Sequence, residues 1–412
     1  MARSKYLKLS GLRSRAFGGS SMIRAAMVTP NLSLGGAERW LTDLITYSDP
    51  GRIEWTGVAV SGWGGADRGL VERLQPHCPL YCNVPRANRP SHARPFYLDG
   101  MTEIVRGDFL EVVKRAAQGA DVLVTWGSPD MGRWLSWFTG PRIVVSHTTM
   151  RDRPGLTMAG ITHLAAVSYA ADAYFDQFRG SDLPRKVIYN GVDPVRCLGQ
   201  PIRELARERI RRQWGIPIDA VVVGYIGRQA KEKNFMAAAR AVGQFCSKTG
   251  KQYYAVYYGM DGTGNQVDEG LKLWCSNNIP GRYSLNSPVE AVGDVLAGLD
   301  VLMLASHREA FSLVLIEAWL AGVAVVATAV GSVPEMEDRF GPLVTRVSEQ
   351  AEDKELGEAV LEAVASHRAA VAKGNALAVA REHLTVQSMV RNWADYLEHV
   401  VSDHREMSDV EI

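Results

Sequence analysis

Ala220-Val221-Val222-Val223-Gly224-Tyr225-Ile226-Gly227 is a short apolar run closed by glycine, and the stretch from Asn234 to Phe245 behind it is apolar at helical spacing. The same order opens the chain. Ile23-Arg24-Ala25-Ala26-Met27-Val28 leads through Thr29-Pro30-Asn31 and Gly35-Gly36 into Ala37-Glu38-Arg39-Trp40-Leu41-Thr42-Asp43-Leu44-Ile45. Each is a strand, a glycine-bearing loop and a helix. In the first half, Gly57 to Val60, Asp121 to Thr125, Arg142 to Ser146 and Leu164 to Ser168 read as further buried strands. Tyr253 to Tyr258, Val301 to Leu304 and Val323 to Ala327 do so in the second. Helical patterns separate most of them, the signature of parallel sheets covered on both faces. The pattern pauses at Val187-Ile188-Tyr189-Asn190-Gly191-Val192-Asp193-Pro194, where a strand runs into turn chemistry, and a charged helix from Ile202 to Trp214 precedes the restart.

The expected fold is therefore α/β, two Rossmann-like domains in tandem. The tail from about residue 355 reads as helices anchored by Trp393 and Tyr396, the last packing back on the first domain. The expected boundaries are a basic leader at 1–21, a first domain at 22–195, a second at 196–385 and a crossing helix at 386–412. A chain of 412 residues suits two domains, each burying its own core.

A formal net charge of +1 removes the general electrostatic case for nucleic acid as a partner. Five scattered cysteines suit a reducing compartment better than a disulfide framework. His77, Cys78, Cys82 and His92 invite a zinc reading, but structural zinc usually shows tighter paired spacing, and they read better as loop residues. No apolar run reaches the roughly 18 to 20 residues that cross a bilayer. Residues 1–21 carry Arg3, Lys5, Lys8, Arg13 and Arg15 without an acid or the apolar core of an export signal. They read as a disordered leader, as a weak contact with anionic lipid, or as sequence upstream of a start at Met22. The expected location is the cytoplasm, with peripheral contact at the inner membrane face as its variant.

Three segments carry chemistry. Gly35-Gly36 lets a backbone approach an anion at a helix start. The full dinucleotide fingerprint is missing there and after Gly227, which disfavours a nicotinamide oxidoreductase. Gly227-Arg228-Gln229-Ala230-Lys231-Glu232-Lys233-Asn234 places cations at the C-terminal edge of a sheet, suited to phosphate or simply to solvent. In Leu302-Met303-Leu304-Ala305-Ser306 through Glu309-Ala310-Phe311-Ser312-Leu313-Val314-Leu315-Ile316-Glu317-Ala318 to Gly322, two carboxylates stand eight residues apart. With Glu309 in the loop and Glu317 about two turns into the helix, both can face one crevice, and the helix start suits a diphosphate. Glu317 interrupts a very apolar stretch, and a buried acid needs partners. A ligand's hydroxyls would serve, as would protein backbone or a neighbouring arginine.

This last segment resembles the E-x7-E element of glycosyltransferase family 4, retaining enzymes of the GT-B fold. The resemblance also rests on Gly35-Gly36-Ala37-Glu38, Asn190-Gly191-Val192-Asp193, Gly227-Arg228 with Lys233, and Gly331-Ser332-Val333-Pro334-Glu335, in family order over about residues 23 to 400. It implies that Arg228 and Lys233 hold the diphosphate of a UDP- or GDP-sugar, that Glu309 lies beside the donor sugar, and that Glu317 bonds the ribose. It further implies donor contacts from the backbone around Phe311, Ser312, Leu313 and Val314 and from Gly35 and Gly36, and a catalytic set of Glu309, Arg228, Lys233 and His147, the last a histidine near the sugar at the end of the fourth strand or simply a hydrogen-bonded strand-end residue. The commoner family reading E-G-F-G is here Glu309-Ala310-Phe311-Ser312, and Ser284-Leu285-Asn286 stands where F-L-G is frequent. Both changes bear on donor identity more than on reaction type.

The implied reaction is sugar transfer with retention to a glycan, lipid-linked or small-molecule acceptor, in surface polysaccharide or glycoconjugate synthesis. Positive charge beside a growing diphosphate makes a metal cofactor unnecessary. A nucleotide-sugar epimerase or a phosphorylase of the same fold, and a non-catalytic sugar-nucleotide binder, are the competing readings. Trp126, Trp134, Trp137 and Phe138 could offer a stacking surface to an acceptor, but aromatics at that spacing are more often core.

Overall fold

The computed structural model describes residues 22–33, 35–61, 65–84, 97–106, 108–126, 135–150, 157–197, 202–246, 252–259, 267–289 and 292–410. The leader 1–21, His92 and Trp134 lie outside the described residues.

Among the described residues, the strands of the first half are β1 (Ile23–Thr29), β2 (Ile53–Ser61), β3 (Leu80–Val84), β4 (Glu103–Arg106), β5 (Val122–Trp126), β6 (Arg142–Ser146), β7 (His163–Ala166) and β8 (Arg185–Val187). Those of the second half are β9 (Val221–Ile226), β10 (Tyr253–Tyr258), β11 (Tyr283–Asn286), β12 (Val301–Leu304), β13 (Ala324–Thr328) and β14 (Thr345–Val347). The helices are α1 (Gly36–Tyr47), α2 (Arg68–Leu74), α3 (Phe109–Ala116), α4 (Tyr169–Asp172), α5 (Ile202–Trp214), α6 (Ala237–Cys246), α7 (Glu269–Asn278), α8 (Gly293–Gly298), α9 (Leu313–Leu320), α10 (Ser332–Phe340), α11 (Asp353–Ala365), α12 (His367–His383) and α13 (Val386–Val410).

The two sheets run β4-β3-β2-β1-β5-β6-β7-β8 and β11-β10-β9-β12-β13-β14. The named pairs within them are parallel. Strand order reverses between β1 and β5 in one sheet and between β9 and β12 in the other. These are the points where open α/β sheets leave a crevice beyond the strand ends. The expected α/β architecture of two Rossmann-like units is the one observed.

Several boundaries differ from the sequence expectation. Strands β3, β4, β11 and β14 lie at or next to sheet edges and mix polar with apolar residues, so they lack a continuous apolar run. With β3 and β4 counted, His147 follows the sixth strand, not the fourth. Helix α6 opens at Ala237, because a 3-10 turn at Lys231–Lys233 ends in Asn234 with φ of 44°. Cys82 is a buried residue of β3, and Cys78 is buried in the turn after α2, where burial pushes its thiol up to about 12. His77 beside it is exposed, so these side chains are dispersed between core and surface.

The last helix behaves as expected. Trp393, Tyr396 and Leu397 of α13 join Trp40, Leu41 and Leu44 of α1 in one apolar cluster over the first sheet. Burying each such large side chain contributes about 1.5–3 kcal/mol. Arg52 ties the outer face down through Asp395 at 2.7 Å and Glu398 at 2.8 Å. No helix among the described residues is long and apolar enough to cross a membrane.

Candidate functional site

The loops leaving β9 and β12 meet where the second sheet reverses its order. From β9 the chain turns through Gly227 and Arg228 into the 3-10 turn at Lys231–Lys233. From β12 it passes Ser306 and Glu309 to Ser312, the residue before α9. The two loops are stitched by the His307 N–H donating to the Glu232 carbonyl at 2.9 Å. This register brings Lys233 Nζ to 2.7 Å from Glu309 Oε2, with both side chains about three-quarters buried. Arg228 points outward, about half exposed, and pairs with Glu232 at 2.8 Å.

Beyond them lies a small pocket where Ser306, Glu309, Ser312, Thr328 and Ser332 stand among apolar Leu304, Leu315, Ala327, Val330 and Val333. Ser312 makes no side-chain capping bond to α9, so the helix start faces this pocket without its usual side-chain partner. A helix start of this kind favours an anion. The loop itself is fixed from below and from the side. Gly331, at φ of 61°, lies so close that a Cβ there would stand 2.5 Å from the Glu309 carbonyl. The Ser168 hydroxyl donates to the Ala310 carbonyl at 3.0 Å, and the Phe311 ring lies 5.5 Å from that of Tyr189.

Glu317 is the fifth residue of α9, little more than one turn in, and is only 2% exposed. Its partner is the arginine alternative: Arg39 of α1 donates to Glu317 Oε1 at 3.1 Å. Burial pushes the Glu317 carboxyl up, while Arg39 and Arg196 pull it down. In the sequence Arg39 reads only as one residue of the first helix. Nothing in the spacing linked it to an acid 278 positions away.

Gly35 caps α1, and Gly36 begins it. A Cβ on Gly35 would fall 2.3 Å from the folded-back Glu38 carboxylate, whereas one on Gly36 would touch Leu313, the first residue of α9, at 3.9 Å. The starts of α1 and α9 therefore face each other across the crevice. His147 lies deeper, its ring 4.6 Å from Trp40 and 6.0 Å from Trp126. Burial pushes this imidazole down to about 3, so it is neutral near pH 7. Of the aromatics weighed as an acceptor surface, Trp126 donates its indole N–H to Thr29, Phe138 is core, and Trp137 is partly exposed.

A second contact closes the far side. The Glu335 carboxylate accepts from the backbone N–H groups of Tyr169 and Ala170 at 3.1 and 3.2 Å, across the gap between the two sheets. The Tyr189 hydroxyl lies beside the same carboxylate. Asn286 ends β11 and donates to the Tyr257 carbonyl at 3.1 Å.

Over 154 residues the chain is 32% identical to a D-inositol 3-phosphate glycosyltransferase of Corynebacterium jeikeium (strain K411), covering 36% of each. Over 190 residues it is 27% identical to a 2-deoxystreptamine glucosyltransferase of Streptomyces kanamyceticus, covering 45% of each. The match thus spans between a third and a half of the length of these relatives. The Anabaena protein HepE, solved in complex with UDP and glucose, superposes with a TM-score of 0.71 at 20% identity, over 92% of this chain and 100% of HepE. Residues 206–374 match the family described as "Glycosyl transferases group 1", and the chain as a whole has the two-sheet GT-B fold of solved glycosyltransferases.

Proposed function

We propose that this chain is a retaining glycosyltransferase of the family 4 type. It moves a sugar from a UDP- or GDP-sugar to a glycan, lipid-linked or small-molecule acceptor. The observation that carries the reading is the Lys233–Glu309 pair beside the start of α9, at the strand-order reversal of the second sheet. A diphosphate at the start of α9 would meet Lys233, Arg228 and the α9 amides, where negative charge grows as the anomeric C–O bond breaks. Glu309 bonds the sugar hydroxyls and orients Lys233. The acceptor hydroxyl attacks the face that the leaving group vacates, and its proton passes to the departing phosphate oxygen. Contact between the starts of α1 and α9 excludes water and limits donor hydrolysis.

The relatives' names support small polyol acceptors within this reading, and the UDP held by HepE supports a uridine donor. Cytoplasmic work on surface polysaccharide or another glycoconjugate fits the same chemistry. The test incubates the protein with a panel of UDP- and GDP-sugars and cyclitol or glycan acceptors. Nucleoside diphosphate release and the anomeric configuration of the product are read by NMR. Transfer with retained configuration, persisting in EDTA, is expected. Donor conversion without transfer would make the protein an epimerase, and binding without turnover would make it a sugar-nucleotide binder.

A further inference from the structure

We propose that Arg39 is a donor-binding residue that exchanges partners: it neutralises Glu317 at 3.1 Å, and a nucleoside diphosphate takes both groups, the ribose diol bonding Glu317 and the diphosphate bonding Arg39. This rests on the donor reading above. It adds a cation from the first domain to a diphosphate site otherwise built from the second.

The geometry supports the exchange at both ends. Helical side chains lean toward the helix N-terminus, so Arg39 leans back along α1 toward Gly36, which faces Leu313 at the start of α9. In the exchange the guanidinium leaves Glu317 for the gap between the two helix starts, where the diphosphate would lie. Its side chain is 20% exposed, at the edge of the crevice and not sealed beneath it. A guanidinium offers a planar fork of donors suited to phosphate oxygens.

Glu317 stays compensated when Arg39 leaves. A carboxylate this deeply buried needs positive potential or hydrogen-bond donors. Arg196 also acts on Glu317, and it is fixed by its own bond to Asp43 at 3.0 Å. Ribose hydroxyls supply the missing donors. Asp43, one turn behind Arg39, is bonded by Arg73 as well, at 2.6 Å, so the framework behind the exchanging pair is tied to neighbouring elements.

The experiment compares wild type, Arg39→Gln, Glu317→Gln and the double variant by calorimetric titration. The ligands are UDP and GDP, with uridine and guanosine measured by competition. The readout is the ratio of diphosphate to nucleoside affinity. Arg39→Gln is expected to lower that ratio at least tenfold, because the diphosphate loses a cation while the nucleoside meets a Glu317 no longer occupied. An unchanged ratio, with both affinities falling together or staying level, overturns the proposal and makes Arg39 a structural bridge. If Arg39→Gln does not fold with Glu317 left unpaired, the double variant against Glu317→Gln gives the same ratio without the stranded charge. Wild type that binds neither diphosphate overturns the donor reading itself, a different result from a bound diphosphate indifferent to Arg39.

Discussion

Lys233 and Glu309 form an ion pair, Nζ to Oε2 at 2.7 Å, that joins the loop after β9 to the loop after β12 across the strand-order reversal of the second sheet. The pair joins the two loops that a donor has to touch. Its value for stability is modest, because ion pairs with this much solvent contact are typically worth about 0–1 kcal/mol. Its value for chemistry is larger if charge develops beside it. Lys233→Ala and Glu309→Gln should therefore each lower kcat by roughly 10²–10³-fold while the melting temperature changes little. Near-normal rates in both variants, read by product formation at saturating donor, would remove these residues from the reaction.

Arg228 is a different kind of cation. It is about half exposed and paired with Glu232 one turn away. A charge so open to solvent is screened by salt. Arg228→Ala should raise KM for the donor and make it less sensitive to sodium chloride than in wild type. Equal salt dependence in the two proteins would place Arg228 outside donor recognition.

His147 gives a pH signature. Its folded value of about 3 lies below the roughly 6.5 of an unfolded histidine. Between those values the unfolded chain binds the proton and the folded one does not. Stability is therefore lost as pH falls through 6.5 toward 3, at up to about 1.4 kcal/mol per pH unit, and is flat above 6.5. Denaturant unfolding from pH 7.5 to 4.5 should show a shallower decline in His147→Gln than in wild type. Parallel curves would mean that the ring is protonated in the fold.

Glu335 and Ser168 are predicted to hold the two halves together beside the Glu309 loop. Glu335 accepts from Tyr169 and Ala170, and Ser168 donates to the Ala310 carbonyl. Leaving buried groups without partners costs about 1–3 kcal/mol each. Ser168→Ala, which strands the buried Ala310 carbonyl, should lower the unfolding free energy by that order, and Glu335→Ala by less, because the N–H of exposed Tyr169 can turn to water. They should also raise donor hydrolysis relative to transfer, since a looser crevice admits water. An unchanged ratio of hydrolysis to transfer would limit both residues to a structural part.

The tandem αβ pattern was legible because β1 and β9 are apolar runs followed by loops and helical periodicity, a signal that short-range physics writes into sequence. The boundaries of α5, β10 and β12 agree with it residue for residue. Edge strands such as β4 and β11 were not legible. They bury too little to need a continuous apolar run, and their pairing is decided by a neighbour distant in sequence. The same limit applies in the site. Glu317 was conspicuous as an acid in an apolar helix, but its partner Arg39 comes from the other half of the chain. Glu335 belonged to a quoted motif, yet its contact with the backbone at Tyr169 follows only once the two sheets are docked.

Gly331 offers a test of how much the reaction depends on the Glu309 loop, without touching a ligand group. It and Gly341 flank α10, both in backbone regions that side chains rarely adopt, at φ of 61° and 81°. Alanine at either should cost about 1–3 kcal/mol through backbone strain alone. Their surroundings differ. A Cβ at Gly331 would stand 2.5 Å from the Glu309 carbonyl and 2.9 Å from that of Ala310, whereas one at Gly341 meets nothing within 4 Å. Gly331→Ala must push the loop, and Glu309 with it, away from Lys233. Gly341→Ala strains the far end of the helix and leaves the loop in place. Transfer rate should therefore fall at least tenfold in the first variant and stay within about twofold in the second, although both carry the same kind of backbone strain. If the two variants lose rate equally, the position of Glu309 does not control transfer, and the strained glycine beneath it serves the fold alone.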